Sequence, residues 1–263
     1  VEVLDQFASS TAPTLWAEGA WSDVRGWPKG IGLFDGRLWN GYADEFWGSG
    51  SDLYESQAVG EEDDDAINRL IATGNVAQIQ AILPLRRLLV LTDSGEVAIK
   101  ASDYDEALTP ANNSVRDVAS FGAADLAPIK LDNKGIYVDR SSIQVMELSY
   151  SVDAQDYIAS PLTRLHKNIG RPGITKIGFS RRPETRFWAT RGDGQLLVKL
   201  YEPGENVLGW ARSKTATGDK FIDVEILPGA PGEGEDEVWA MFQRRLTDGF
   251  HYYLEKLGPL YYE

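Results

Sequence analysis

The chain has 263 residues, of which 40 are Asp or Glu and 26 are Lys or Arg, so its formal net charge is −14. This balance argues against general nucleic-acid binding, because a protein that holds a phosphate backbone needs a face rich in basic side chains. The absence of cysteine excludes disulfides and thiolate metal sites, and the apolar runs are too short to span a membrane.

Residues 1–28 form an irregular leader that contains Pro13, Pro28 and three tryptophans. We expect this leader either to lead in from an upstream domain or to pack a strand against the last repeat and close a ring. Because the chain begins at Val1 and not at Met, we interpret it as a piece of, or the ordered part of, a longer polypeptide. A main domain at 29–258 and a short C-terminal tail at 259–263 follow the leader.

The main domain repeats one design five times. Each repeat has a strand with a large apolar residue at its centre, and we predict that these five anchors form the blade cores: Trp39, Leu89, Tyr137, Trp188 and Trp239. The anchors are 50, 48, 51 and 51 residues apart. A period of about 50 residues is typical of β-propellers, in which each blade is a small antiparallel sheet. The sequence therefore predicts an all-β, β-propeller-like fold of about five antiparallel units.

Within each repeat the pattern predicts strand, strand, turn, strand. Several first strands alternate apolar and polar residues, as at 221–227, which is typical of a half-buried strand. Pairs such as Ser94-Gly95 and Asp248-Gly249 supply the positive φ that tight hairpins need. A fourth strand is plain only in the fourth repeat, at 208–212, and we expect a short helix near 160–167.

An acidic run stands in the connector between the first two repeats, and it consists of Glu61, Glu62, Asp63, Asp64 and Asp65. It lacks the spaced oxygen ligands and the central glycine of a calcium loop. We interpret it as a solvated connector, with contact to a basic partner as the alternative. Asp64 or Asp65 is also placed to cap a short helical turn at 68–71.

The sequence predicts no enzyme, and no metal or cofactor. The two histidines, His166 and His251, are far apart in sequence, and no Gly-x-Ser-x-Gly elbow accompanies them. Acidic residues recur in the turns of four repeats, at Asp93, Asp139, Asp193 and Asp248. A pair of such carboxylates is the equipment of a glycosidase, but none of these turns matches a sialidase-type motif, and Asp in a hairpin usually bonds its own backbone.

Some aromatic residues lie outside the repeated core positions, among them Trp47, Tyr54, Trp210 and tyrosines near the C-terminus. We predict that some of them form an exposed contact patch, with Trp47 and Trp210 as its main candidates. If exposed, such rings also suit the stacking of sugars, so a carbohydrate-binding propeller is the alternative function.

An ordered set of motifs resembles the tail hub and nozzle proteins of short-tailed bacteriophages, the group similar to tail tubular protein B. The motifs are GWPKGIGLFDGRLWNG at 26–41, DDDAI at 63–67, LPLRRLLVLTDSGE at 83–96, LTPAN at 108–112 and VMELSY at 145–150. The resemblance covers roughly 26–257. The chain departs from the family in its shorter length and in Val97, where relatives often have Trp.

The resemblance implies a structural virion protein, made in the host bacterial cytoplasm and located in the phage tail. Such proteins form a propeller-like platform that assembles as a ring, usually of six copies, around the DNA exit channel. The expected partners are further copies of the chain, adaptor or gatekeeper proteins, and fibre or spike proteins, with no membrane. Genomic DNA passes through the lumen without specific binding, and an acidic wall suits this role because it repels the phosphate backbone.

Overall fold

The computed structural model describes residues 21–72, 77–101, 106–202, 209–232 and 234–258. Nineteen β-strands in these ranges form five antiparallel sheets, four of four strands and one of three. The described ranges contain no α-helix. The prediction of an all-β, propeller-like chain with five antiparallel units is therefore confirmed.

The sheets follow one another along the chain. The first contains β1 (Gly30–Phe34), β2 (Arg37–Tyr42), β3 (Glu45–Gly48) and β4 (Ile67–Leu70). The second contains β5 (Ile79–Pro84), β6 (Leu88–Thr92), β7 (Glu96–Lys100) and β8 (Ser114–Ala119). The third contains β9 (Ile129–Leu131), β10 (Lys134–Val138), β11 (Val145–Ser151) and β12 (Asp156–Pro161). The fourth contains β13 (Ile174–Ser180), β14 (Arg186–Arg191), β15 (Leu196–Leu200) and β16 (Trp210–Ser213). The fifth contains β17 (Lys220–Leu227), β18 (Glu237–Leu246) and β19 (Gly249–Lys256).

Every strand pairs with the next strand in its own sheet, so each blade is a simple meander. The first strands of neighbouring sheets lie against each other, with β1 on β5, β9 on β13 and β13 on β17. Asp35 and Gly36 both take positive φ between β1 and β2, which is the backbone of a tight two-residue hairpin.

The core consists of four apolar clusters, one between each pair of consecutive sheets. Trp39 and Phe46 of the first sheet, for example, pack with Ile82 and Val90 of the second. The other clusters join the second sheet to the third, the third to the fourth, and the fourth to the fifth. Among the described residues no cluster joins the fifth sheet to the first, so the two end sheets are each covered by a neighbouring sheet on one side only.

Neither of the two expected helical segments is a helix. Residues 67–70 form β4, because pairing with β3 satisfies the backbone while Ile67 enters the first core cluster. The stretch near 160–167 begins as the end of β12, which pairs with β11 up to Pro161, and continues as turns. Fourth strands occur in the first four repeats, and not only in the fourth.

The described part of the leader packs against the first sheet. The ring of Trp21 meets Trp47 edge-on, with ring centres 5.8 Å apart. Gly26 lies directly against the ring of Tyr42, so that a side chain at this position would clash with it. Residues 1–20 and the tail at 259–263 lie outside the described residues, and the proposed domain boundaries stay a prediction.

Candidate functional site

The acidic run lies on the surface beside the first sheet. Glu61, Glu62, Asp63 and Asp64 are exposed, and Asp65 is half-buried. Its main chain, however, is held from inside by Arg37. The Nη1 of Arg37 donates to the carbonyl oxygens of Ser49 at 2.7 Å and Asp65 at 2.5 Å, and its Nη2 donates to that of Asp63 at 2.5 Å. The backbone of the run is therefore part of the fold, while most of its carboxylates face solvent.

The same aspartates also influence Arg37 electrostatically. Burial lowers the pKa of the Arg37 guanidinium, and the negative charges of Asp35, Asp64, Asp65 and Asp63 oppose this shift. The run thus supplies countercharge to a buried cation. These contacts agree with the reading as a structural connector, and contact with a basic partner stays a prediction.

The structure contradicts the expected exposed patch at Trp47. This side chain is only 8% exposed, because Trp21 from the leader folds over it. Trp210 is half-buried against the core between the third and fourth sheets, and its Nε1 donates to the carbonyl of Leu162 at 3.2 Å. Trp47 is therefore not available for stacking on a sugar, and Trp210 is only partly exposed.

Four of the five anchors are buried as predicted, namely Trp39, Leu89, Tyr137 and Trp188. Trp239 differs, because its side chain is only half-buried and does not join the core between the fourth and fifth sheets. The core positions of β18 are instead Val238, Ala240 and Phe242. Trp239 points to the opposite side, where no sheet follows in the described structure.

That side of the fifth sheet is uncovered and combines large apolar side chains with charged ones, since Glu225 lies opposite Trp239 and Asp223 lies opposite Met241. Strand pairing places Trp239 opposite Lys256 and Met241 opposite Leu254, and cross-strand partners share a face. Tyr252 and Phe250 continue the same face, with exposed side chains. Met241 is 39% and Leu254 is 66% exposed. We call these five residues (Trp239, Met241, Phe250, Tyr252 and Leu254) the open face of the fifth sheet.

The first sheet carries a second apolar surface, which is only partly covered. Pairing places Ile31, Asn40 and Trp47 on one side of this sheet, and Trp21 of the leader covers Trp47 there. Ile31 is 65% exposed, Leu33 is also exposed, and Leu38 is half-buried. Leu33 pairs with Leu38, so their side chains share the side of the sheet that faces away from the second sheet. We call Ile31, Leu33 and Leu38 the far face of the first sheet. Among the aromatic residues predicted from the sequence to form an exposed patch, Tyr252 is exposed on the open face, whereas the other members of the two faces were not predicted.

A buried polar cluster lies between the third and fourth sheets. The Nζ of Lys134 donates to the Oη of Tyr201 at 2.7 Å and lies 3.0 Å from the Oε1 of Glu147. Tyr201 donates to the Oε2 of Glu147 at 2.5 Å. Burial and the bond to Glu147 raise the pKa of Tyr201 to about 12. Burial acts to lower the pKa of Lys134, but its bonds to Tyr201 and Glu147 prevail and raise it.

A second buried carboxyl group lies between the second and third sheets. The Oε1 of Glu96 accepts a hydrogen bond of 2.6 Å from the hydroxyl of Tyr137, and Oε2 accepts one from the backbone N–H of Phe121. Burial raises the pKa of Glu96 and, together with the nearby carboxyl, that of Tyr137. The carboxyl and tyrosine side chains of both groups are buried, so we interpret the two groups as links between sheets.

A cleft of about 650 Å³ opens between hairpins of the first three sheets. Its basic lining residues include Arg87, whose Nη1 lies 2.7 Å from the Oδ1 of Asp156 and whose Nη2 donates to the carbonyl of Gln155. The acidic side chains of Asp35 and Glu106 also line the cleft. Since both basic and acidic side chains line the cleft, it does not favour a ligand of either charge.

The residues considered for catalysis are tied into turns. Asp139 accepts from the backbone N–H of Gln144 at 2.8 Å, and Asp193 accepts from that of Gln195, as expected for hairpin aspartates. His251 lies 2.9 Å from Asp248 in the turn that precedes β19, and His166 is exposed in another turn. Within the described ranges, no group of His, Asp and Glu suited to a metal ion occurs, and no helix is long and apolar enough to cross a membrane.

Comparisons with known proteins bear on the fold alone. No protein-family model and no curated protein matches the chain. Among solved structures, it is similar to the β-propeller domain of Cps50 (Swd1) from Myceliophteria thermophila, with 7% identity, 86% coverage of each chain and a TM-score of 0.40. Human WBSCR16 matches with 13% identity over 88% of this chain and 68% of its own, at a TM-score of 0.41. A luciferin-regenerating enzyme matches with 13% identity over 88% and 92%, at a TM-score of 0.32.

Proposed function

We propose that this protein is a structural component of a bacteriophage or prophage tail, in the distal hub or nozzle through which DNA leaves the particle. The motifs along 26–257, which resemble tail hub proteins in the same order, support this setting. In this role the protein works by assembly, and it carries out no chemistry of its own.

The observation that carries the structural role is the pair of faces with exposed apolar side chains at the two ends of the row of sheets. Large contiguous apolar patches on a soluble protein usually mark contact sites. The open face of the fifth sheet alone combines three aromatic rings with Met241 and Leu254. We propose that these faces dock neighbouring tail proteins, which include further copies of the chain, an adaptor or gatekeeper, and a fibre or spike protein.

The net charge of −14 supports the second part of the proposal, that DNA slides past the protein without being held. The carbohydrate-binding alternative rested on Trp47 and Trp210 as exposed stacking rings. With Trp47 buried and Trp210 bonded to Leu162, no observation on these residues favours it.

The proposal is tested on purified phage particles from the strain that encodes the chain, probed with an antibody against it. We expect the protein in the particles, with immunogold label at the tail tip in electron micrographs. Absence from particles while the protein is present in the producing cells would contradict the proposal.

A variant test addresses the apolar faces. Met241→Glu, introduced into the phage genome, should reduce the amount of the protein in the particles, because a charge on the open face opposes docking. Val152→Glu is the matched control, since Val152 is 79% exposed in the turn between β11 and β12, away from both faces. If both variants are incorporated equally, docking through the open face is contradicted, while the assignment of the protein to the tail still stands.

A further inference from the structure

The five repeats allow the exposed positions of the end sheets to be compared with buried positions elsewhere in the chain. Trp39, Leu89 and Trp188 occupy the anchor position of their sheets, and each packs into the core shared with the following sheet. The corresponding residue of the fifth sheet is Trp239, on the open face. The fifth sheet therefore carries a side chain at the position that a following sheet buries in three other repeats.

The first sheet is the converse case. Strand pairing and the repeat spacing align Ile31 with Ile82 and Leu38 with Leu88 in the second sheet. Ile82 and Leu88 are buried in the cluster shared with the preceding sheet. Ile31 and Leu33 are exposed and Leu38 is only half-buried, because no sheet precedes the first one in the described structure. Beside Trp47, which Trp21 covers, the first sheet therefore presents exposed apolar residues on the side that a preceding sheet would bury.

We propose that the far face of the first sheet of one copy packs on the open face of the fifth sheet of another copy. This inference rests on the proposed function and names the partner of the open face. The sheet-to-sheet contact that occurs four times inside the chain would then continue from one copy to the next. Each contact would bury Ile31 and Leu33 against Trp239, Met241 and Leu254, all of them largely apolar side chains.

The two faces differ, so the contact is heterologous, or head-to-tail. Such a contact generates a closed ring when the rotation between copies divides a full turn, and a filament when it does not. A two-fold dimer, in which the same face meets itself, is excluded by the proposal. This difference makes the arrangement testable by asking which faces meet.

The absence of cysteine in the sequence gives a clean cross-linking experiment. Leu33→Cys and Leu254→Cys are prepared separately in the full chain, mixed, and treated with a short bis-maleimide. We expect a covalent dimer in the mixture and none in either variant alone. The matched control replaces Leu254→Cys with Val152→Cys, and that mixture should give no dimer.

Three results would overturn the proposal. The first is a dimer formed by Leu254→Cys alone, which would indicate a two-fold contact. The second is a cross-link within one chain of the Leu33→Cys/Leu254→Cys double variant, which would show that the fifth sheet meets its own first sheet. The third is a cross-link within one chain between Val3→Cys and Leu254→Cys, which would identify the leader as the occupant.

The association itself is measured by mass photometry and analytical ultracentrifugation across protein concentration. Met241→Glu should weaken it by at least about 10-fold, since central apolar positions dominate contact energies. At a concentration at which the parent is monomeric, the melting temperature of Met241→Glu should match that of the parent, because the side chain is already partly exposed. A monomer at every concentration, or an unchanged association in Met241→Glu, would also overturn the proposal.

The outcomes separate this inference from the proposed function. Label at the tail tip without the Leu33–Leu254 cross-link would leave the tail role standing and refute the head-to-tail contact. The cross-link without any protein in phage particles would do the reverse.

Discussion

At the scale of single residues, Lys199 places an ammonium group in the core between the third and fourth sheets. The residue is 0% exposed, and its Nζ has no hydrogen-bond partner within the described ranges. The centre of the Trp210 ring lies 5.5 Å from Nζ, and the charge of Glu147 also acts on this group. Burial lowers the pKa of Lys199, and Glu147 only partly opposes this. A buried amine without a partner costs stability.

We predict that Lys199→Met stabilises the protein. The apolar side chain fills a similar volume without desolvating a charge, so the free energy of unfolding at pH 7 should rise by about 1–3 kcal/mol. Urea denaturation measures the change, and Lys130→Met, at an exposed position of β9, should leave stability within about 0.5 kcal/mol of the parent.

The gain should also depend on pH. The folded parent binds fewer protons than its unfolded chain between the lowered pKa of Lys199 and the ordinary value of 10.5, so its stability rises with pH in that interval. The advantage of Lys199→Met should therefore shrink as pH approaches 10.5. An advantage that is constant or grows in this range would refute the assignment of the cost to the buried charge.

Glu96 gives the opposite pH dependence. Because burial raises its pKa above 4.5, the folded state binds more protons than the unfolded chain between these values, and stability falls as pH rises through the interval. Glu96→Gln removes this dependence, so the stability of the variant relative to the parent should increase with pH from 4.5 upward. Urea titrations at a series of pH values check this, with the exposed Glu55→Gln as control; parallel curves for Glu96→Gln and parent would contradict it.

At the scale of elements, the connector between β3 and β4 depends on one side chain. Arg37 donates to three carbonyl groups of this connector from a buried position. Arg37→Met should lower the free energy of unfolding by about 2–4 kcal/mol, because those carbonyls lose a charged donor. Limited proteolysis should cut within 58–66 faster than in the parent.

Two further variants sharpen this test. Arg37→Lys keeps the charge but lacks the forked guanidinium, so its loss should be intermediate. Arg116→Met, at an exposed site on β8, should change neither stability nor cleavage. If the connector resists proteolysis in Arg37→Met as well as in the parent, the hydrogen bonds of Arg37 are not what keeps the acidic run in place.

The elements also show which features local sequence can predict. The anchors, the strand alternation and the hairpin glycines depend on neighbours a few residues away, so the five units could be read directly. The burial of Trp47 depends on Trp21, which lies 26 positions earlier in an irregular segment. The extended form of 67–70 depends on pairing with β3. Local pattern therefore gave the wrong environment for Trp47 and the wrong structure for 67–70.

Of the open face, the sequence predicted only the exposure of Tyr252, and the rest was missed for a related reason. The segment FHYYLEK at 250–256 places Phe250, Tyr252 and Leu254 on one face of β19, and Tyr253 lies on the other face between His251 and Glu255. Which of the two is covered within the chain depends on the position of the fourth sheet, and no local pattern encodes it. The same holds for Trp239, whose anchor position is buried only where another sheet follows.

At the scale of the whole molecule, the five sheets form a row with two kinds of position. Sheets two to four are covered on both sides by core clusters, whereas the described fifth sheet is covered on one side only. Backbone hydrogen bonds open most easily where few apolar contacts hold them. In dilute monomer we therefore expect the amides of β6 to exchange with deuterium most slowly, and those of β18 and β19 to exchange faster.

Assembly of copies should reduce this difference in exchange rate between β6 and the strands of the fifth sheet. When protein concentration rises into the range in which copies associate, covering of the open face should slow exchange in β18 and β19 and leave β6 unchanged. Hydrogen–deuterium exchange measured by mass spectrometry at two concentrations checks this. Met241→Glu is the matched variant, and it should exchange like dilute parent at both concentrations. Exchange in β18 that is as slow as in β6 already in the monomer would mean that the open face is covered within one chain, and the row of sheets would then need no second copy to complete it.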